Sequence, residues 1–169
     1  MPNNVKVYPY THIRISGPLT AAEKTAYGGA ASLSGASVTG DNVQVGSLGA
    51  IETAQINDSV RGGVAVNTTF APINATTAAD SATRTEQGRG DIEVTMDCQV
   101  NTETGSTVDK FLKNATGTRL LYVERANSTG KFTAVVDIVS VSSPVPDEAG
   151  DSIFTVVMRG NSAQLATWE

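Results

Sequence analysis

Residues 92–100 read IEVTMDCQV and alternate apolar and polar side chains without a break. Side chains of a β-strand point to opposite faces with a period of two, so this pattern predicts a strand with one buried face. On that strand Glu93 and Asp97 share the polar face, while Cys98 is predicted to be a small buried hydrophobic residue rather than a nucleophile. The stretch indicates a mainly β fold.

Three further runs in the second half favour strands because they are rich in β-branched and aromatic residues. Residues 119–125 (RLLYVER) and 131–141 (KFTAVVDIVSV) are separated by a polar turn and predict a hairpin. Residues 152–159 (SIFTVVMR) follow a segment, 142–151, whose prolines cannot continue a strand ladder. Since LLYV and AVV are apolar on both sides, we expect this sheet to be packed by a sheet on one face and, on the other, by the short helix described next or by another subunit.

One short amphipathic helix is predicted over 106–116, between the alternating strand and the hairpin. Its apolar residues recur at helical spacing, and they are Val108, Phe111, Leu112 and Ala115. Gly117 suits the left-handed conformation that commonly ends a helix. The fold class is therefore β-sandwich or barrel-forming sheets flanked by one short helix, with a long loop and terminal arms.

The first half of the chain predicts less regular structure. We expect a strand over 5–15 that is interrupted at Pro9, a weak helical turn over 20–27, one or two light strands within 28–49, and a strand over 48–56. Residues 1–47 are thus a region of uncertain structure ahead of a β domain at 48–169, and the whole chain reads as one domain.

Residues 57–90 contain few apolar anchors and are predicted to form a long loop between two strands. Loops of this length are usually functional or disordered, and this one is not strongly charged. We expect it to act as an arm that closes the sheet edge of a neighbouring copy. Trp168, next to last in the chain, predicts that the tail docks on its own core or on a neighbour. The candidate inter-subunit residues are Asp58, Val60, Arg61, Phe70, Ile73, Arg84, Arg89, Leu165 and Trp168.

Composition argues against several classes of protein. Of the 169 residues 17% are charged, and the net charge is -5. The basic residues do not form a patch that could bind phosphates, which argues against a nucleic-acid-binding protein. The single cysteine and the single histidine, His12, argue against disulfides and metal cages, and we expect no cofactor. No apolar run reaches the roughly 18 residues of a membrane span, and the N-terminus lacks the layout of a signal peptide.

No catalytic constellation stands out. The pattern Gly-x-Ser-x-Gly does not occur, and His12 reads as an ordinary strand residue. Asp147, Glu148 and Asp151 form the densest acidic cluster, but the neighbouring prolines and glycine indicate a solvated turn. We therefore expect a protein that is not an enzyme.

The order of motifs resembles the major tail tube protein of long-tailed, siphovirus-type bacteriophages over roughly residues 48–165. The matching stretches are LGAIETAQINDS at 48–59, GDIEVTMDC at 90–98, KFTAVVDIVSVSSPVPDEA at 131–149 and IFTVVMRGN at 153–161. Between them the pattern has a long loop and a short helix.

This resemblance implies a structural virion protein that assembles as six-membered rings stacked into a hollow tube. DNA passes through the lumen without specific binding, and other tail proteins are further partners. The long loop and terminal arms would contact adjacent subunits and rings. An acidic lumen would repel DNA in transit, with Glu93 and Asp97 as the favoured lumen-facing acids. Synthesis would take place in the bacterial cytoplasm, and the mature location would be the phage tail.

Three alternatives stay open. The chain could be a capsid decoration protein or an adhesin-like β module that binds a host surface. It could be a tail terminator, which stops at one ring instead of stacking. An enzyme that depends on Asp147 or Glu148 is the third.

Overall fold

The computed structural model describes residues 10–30, 32–100, 111–113, 115–126, 130–146, 152–160 and 166–169. Its elements in chain order are β1 (Tyr10–Ser16), α1 (Ala21–Gly28), β2 (Ala36–Thr39), β3 (Asn42–Val45), β4 (Ala50–Gln55), β5 (Val60–Asn74), β6 (Thr85–Gln99), β7 (Thr118–Arg125), β8 (Lys131–Val141), β9 (Val145–Pro146), β10 (Ser152–Gly160) and β11 (Ala166–Trp168). All strand pairs are antiparallel, in the order β2-β3-β4-β1-β7-β8-β10-β6-β5. The prediction of a mainly β fold is confirmed.

Strands β1, β7, β8, β10, β6 and β5 enclose the larger of two cores, here called the barrel core. Their inward side chains follow the period of two that the sequence predicts, and on β6 they are Ile92, Val94, Met96 and Cys98. Neighbouring strands add aromatic residues, including Phe132 on β8 and Phe154 on β10. Because strands from both ends of this path share one core, the sheet curls into a nearly closed barrel.

A second core lies on the opposite face of β7 and β8. Leu120, Tyr122 and Val135 point into it from the barrel strands. Strands β2, β3 and β4 fold over them and contribute Val43, Val45 and Ile51. The expectation that β7 and β8 are covered on both faces is therefore confirmed. The cover on the outer face includes α1 and the small sheet of the same chain, whereas the sequence predicted the helix over 106–116 or another subunit there.

Helix α1 begins at a capping box and anchors the second core. The Thr20 hydroxyl accepts the Glu23 N–H at 3.3 Å, and Glu23 Oε2 accepts the Thr20 N–H at 2.7 Å. Tyr27 at its end is 1% exposed and donates its hydroxyl to the carbonyl of Gly49 at 2.9 Å. The helical turn predicted over 20–27 is confirmed, and it is the helix that flanks the sheets within the described ranges.

The prediction of a long loop over residues 57–90 is wrong for most of that segment. Strands β5 and β6 pair over 15 residues each and form a hairpin whose tip spans residues 75–84. The sequence hides these strands because β5 beyond Val66 is largely exposed and therefore polar, which removes the apolar alternation. Val64 is part of the barrel core, so the segment belongs to the fold rather than only to an arm.

Smaller differences concern the segments around β8 and β10. The hairpin of β7 and β8 and the strand β10 are confirmed. Within 142–151, Val145 and Pro146 pair with β10 as the short strand β9, because an edge position does not require the proline N–H. The helix predicted over 106–116 lies mostly outside the described residues. Phe111 within it is fully buried against Phe154, with ring centroids 6.3 Å apart.

Candidate assembly surface

The outward face of β5, β6, β10 and the distal part of β8 is here called the outer face. It carries polar rows, and between them the apolar residues Ala65 and Val157 flank Thr95. Alternation places Glu93 and Asp97 on it, as predicted. Arg159 Nη2 lies 3.3 Å from Glu93 Oε2, and the Thr155 hydroxyl donates to Asp97 Oδ1 at 2.6 Å. These pairs link β6 to β10, and both partners of the ion pair are largely exposed.

Charges on the outer face are mixed, with an excess of acids. The strand register aligns Asn67, Glu93, Arg159 and Asp137 across four strands, and it aligns Arg61 and Asp97 in another row. Together with Asp91, opposite Thr69, the described side chains of this face include four acids and two arginines, so 2 - 4 gives them a net charge of -2. A sheet face with this balance weakly repels polyanions.

The hairpin of β5 and β6 runs past the end of β10. The last pair between β10 and β6 joins Gly160 to Ile92, whereas β5 and β6 stay paired as far as Asn74 and Thr85. Within the described ranges, residues 85–91 of β6 pair with β5 alone. The result is a two-stranded ribbon, and such ribbons are marginally stable without further contacts.

This ribbon carries exposed apolar side chains. Phe70 is 45% exposed and Ile73 is 51% exposed. Phe70 lies on the same face of β5 as Val64 and Val66, so it extends the inward stripe of β5 beyond the barrel core. The tip is ordered by short-range bonds, including Arg84 N–H to the Thr76 hydroxyl at 2.8 Å and an ion pair between Arg84 and Glu86.

A bulge at Gly62 and Gly63 marks the opposite end of β5. The register with β6 shifts between Arg61 and Val64, and both glycines have positive φ, 73° and 112°. Tyr10 at the start of β1 packs over Gly63, and its hydroxyl accepts the Val64 N–H at 3.0 Å. The Tyr10 side chain therefore connects β1 and β5, the two barrel strands that do not pair with each other through backbone hydrogen bonds.

A pocket of about 490 Å³ lies beside this connection and is here called the Tyr10 pocket. Its lining consists of Tyr10, Ile13, Gln55, Asn57, Asp58, Val60, Gly62 and Gly63. Asn57 uses its side chain to hold β1, since its Oδ1 accepts the Ile13 N–H and its Nδ2 donates to the Thr11 carbonyl at 3.0 Å. The pocket walls are therefore fixed to the sheet.

The tail docks on the sheet of its own chain. Strand β11 pairs with β8, with Trp168 opposite Phe132, and it occupies the edge of β8 that β10 leaves at Gly160. Glu169 exchanges two backbone bonds of 2.8 Å with Lys131, and its Oε1 accepts the Gly35 N–H at 2.7 Å. The prediction that the tail docks is confirmed for the backbone of residues 166–169.

The predicted inter-subunit residues fall at two separate places. Asp58 and Val60 line the Tyr10 pocket and Arg61 lines a neighbouring one, whereas Phe70 and Ile73 lie on the ribbon and Arg84 lies at its tip. The side chains of Arg89 and Trp168 and the whole of Leu165 lie outside the described part of the chain. Tyr10 and the Gly62–Gly63 bulge were missed, although a glycine pair inside a strand is a known signal for a bulge.

The described residues offer no constellation for catalysis. His12 Nδ1 lies 3.0 Å from Gln55 Oε1 on the strand surface, as expected of an ordinary strand residue. Burial, together with the nearby Asp97 charge, raises the pKa of the Cys98 thiol to about 12, so it is a poor nucleophile. Across the described ranges, no three His, Cys, Asp or Glu side chains are grouped to hold a metal ion. Asp147, Glu148 and Asp151 lie outside those ranges.

Within the same ranges, no helix has the length and apolar character needed to cross a membrane.

No protein-family model and no curated protein matches the sequence. Solved structures of gene transfer agent particles are similar in fold, and two of their chains serve as examples. A chain of the virion of a native gene transfer agent particle is 9% identical with a TM-score of 0.46, covering 69% of this chain and 88% of that chain. A chain of the tail of an empty gene transfer agent particle, solved with C6 symmetry, is 10% identical with a TM-score of 0.47, covering 79% of this chain and 99% of that chain. Likenesses this weak do not establish a shared function.

Proposed function

We propose that this chain is a structural phage tail protein, the subunit that assembles as rings stacked into the tube of a long-tailed phage. The observation that carries the proposal is the ribbon of β5 and β6, which projects beyond the sheet with Phe70 and Ile73 exposed. Large apolar side chains on a projecting two-stranded ribbon favour a partner surface. The order of sequence motifs described above supports a tail tube in particular.

The ring is proposed to form through the free edge of β5. This strand is the last in its path among the described residues. Tyr10 of β1 occupies its outer edge at Val64, and beyond that point its outer N–H and C=O groups have no neighbouring strand there. Exposed edges of this kind are templates for pairing with another chain. Pairing with the next copy would continue the strands β5, β6, β10 and β8 around a ring, six copies closing it as the family resemblance implies.

The outer face is proposed to line the lumen. Its net charge of -2 per subunit is small, but six copies in each ring and many rings repeat it along the whole channel. Glu93 and Asp97 lie near its centre. Repulsion between the acidic wall and the DNA phosphates would let DNA pass without binding. The protein would act in the virion tail, with other tail proteins as its partners.

Negative-stain electron microscopy across a concentration series tests this proposal. Stacked rings with a central hole are expected. Single rings that never stack would favour the tail terminator, and discrete monomers or small oligomers at every concentration would favour the decoration or adhesin-like module.

A ribbon variant makes the test specific. Replacing residues 75–84 with Asn-Gly retains the pairing of Asn74 with Thr85 and supplies a two-residue hairpin turn. The substitution Val145→Ser, at a residue 62% exposed on β9, is the control for a surface change away from the ribbon. Replacement of the tip is expected to shorten or abolish tubes while Val145→Ser leaves them intact. Normal tubes from the tip variant would show that residues 75–84 are not a stacking contact.

A further inference from the structure

The two groups of predicted contact residues lie at opposite ends of one strand. Asp58, Val60 and Arg61 are at the start of β5, and Phe70 and Ile73 are near its end. At about 3.3 Å per residue, the 13 steps from Val60 to Ile73 span about 40 Å. The ribbon therefore cannot reach the Tyr10 pocket of its own chain.

The Tyr10 pocket is lined by both apolar and polar residues. Ile13, which is 2% exposed, lines it together with Tyr10 and Val60, beside the polar residues Gln55, Asn57 and Asp58. The bond from Val64 N–H to the Tyr10 hydroxyl fixes one wall, and the bonds of Asn57 to β1 fix the other. A pocket held in this way requires little rearrangement to receive an apolar side chain, which favours binding.

The rim of the pocket carries a charge that the same chain does not neutralise. Asp58 is exposed and forms no ion pair within the described residues. The ribbon carries Arg84 at the end of its tip, where it forms an ion pair with Glu86, the residue opposite Ile73. An incoming ribbon would bring the Ile73 side chain towards the apolar part of the lining, and Arg84 would contribute a charge contact there by exchanging Glu86 for Asp58 as its partner.

We propose that the Tyr10 pocket receives the Ile73 side chain from the ribbon of a second copy of this chain. Donor and acceptor are different surfaces at opposite ends of β5, so the contact is head-to-tail. Repetition of a head-to-tail contact that does not close on itself builds an open filament. This inference rests on the proposed tube function and names the acceptor surface within it.

Disulfide trapping between two different single-cysteine variants tests the contact directly. Gln55→Cys places a thiol on the exposed rim of the pocket, and Ile73→Cys places one on the ribbon. Cys98 is fully buried and can stay in place. Ser37→Cys, exposed on β2 in the small sheet, is the matched control partner for Ile73→Cys.

Mixing the Gln55→Cys and Ile73→Cys chains under assembly and oxidation is expected to give a disulfide-linked dimer of the two. Neither Ile73→Cys alone nor its mixture with Ser37→Cys is expected to give one. In parallel, Ile73→Ser should raise the concentration needed for assembly about tenfold or more, since a buried isoleucine contributes that much to association, while Val145→Ser should not.

Two outcomes would overturn the inference, and they are distinguishable. Tubes that form without the mixed dimer, from chains in which Ile73→Ser has no effect, would leave the proposed function standing and exclude this pocket as the acceptor. Chains that neither assemble nor cross-link at any concentration would count against both proposals.

Discussion

The hydroxyl of Tyr10 accepts a hydrogen bond of 3.0 Å from the backbone N–H of Val64, and so connects β1 to β5 across the seam of the barrel. The connection depends on the bulge at Gly62 and Gly63, which brings the two strands close enough for a side chain to span them. A Cβ atom placed on Gly63 would lie 2.8 Å from the Tyr10 hydroxyl oxygen.

Gly63→Ala is expected to destabilise the chain more than Gly62→Ala. Both glycines have positive φ, so both substitutions incur backbone strain, but a Cβ on Gly62 has no atom within 4 Å. For Gly63→Ala, the clash with Tyr10 should lower the free energy of unfolding by about 1 to 3 kcal/mol more, because the clash also disrupts the hydrogen bond between the Tyr10 hydroxyl and Val64. Denaturant unfolding of the two variants measures the difference in stability. Equal losses of unfolding free energy would show that the Tyr10 side chain moves aside without destabilising the chain.

Phe111→Ala is expected to lower the free energy of unfolding by about 3 to 5 kcal/mol. Phe111 is fully buried in the barrel core, and its ring meets Phe154 at a 59° tilt. The conservative change Phe111→Leu, which retains most of the volume, is the control and should cost much less. Chemical denaturation followed by circular dichroism gives both values, and a loss under about 1 kcal/mol for alanine would contradict the packing described here.

Stability is expected to fall at alkaline pH because of Cys98. Burial raises the pKa of its thiol from 9.0 to about 12 in the folded chain. Above pH 9 the unfolded chain loses this proton while the folded chain keeps it, so the unfolded state is favoured as pH rises towards 12. The expected slope approaches about 1.4 kcal/mol per pH unit for this group. It adds to a contribution of the same sign from Tyr122, whose pKa is raised chiefly by burial.

Denaturant titrations of the wild type and Cys98→Ala between pH 8 and 11 isolate this contribution. The alanine variant is less stable at pH 8, because it leaves a small cavity, but its stability should fall less steeply between pH 9 and 11. Parallel curves would show that the thiol ionises freely in the folded chain. A slow reaction of native Cys98 with a thiol reagent at pH 8 is the companion observation.

Removing residues 166–169 is expected to destabilise the chain by about 1 to 3 kcal/mol. The truncation exposes the edge of β8 at Phe132 and Thr133 and removes the carboxylate that accepts the Gly35 N–H. Glu169→Gln retains the strand and an amide acceptor, so it should cost less. Thermal unfolding of the two variants separates the contribution of the strand from that of the Glu169 carboxylate. An unchanged unfolding midpoint for the truncation would show that β11 does not stabilise the isolated chain.

The sequence predicted the strands best where burial is one-sided or complete. Alternation in β6, the apolar runs of β7 and β8, and the capping residues of α1 each appear within a single segment, because local periodicity reflects which face is buried. The candidate acids Glu93 and Asp97 could be assigned to one face for the same reason. Those predictions needed no knowledge of what the strands pack against.

The ribbon and the Tyr10 pocket could not be found in this way. Residues 67–74 are exposed on both faces, so β5 has no apolar period there, and its pairing with β6 depends on backbone bonds to residues some 10 to 30 positions away. Tyr10 and Val64 are 54 residues apart and meet only because the sheet curls. By itself, then, the sequence determined the strand character and inward face of the barrel strands, because side-chain period is a local property. Only the tertiary structure decided that the segment 57–90 is a hairpin and which of its ends meets Tyr10, because strand pairing and barrel closure are relations between distant segments.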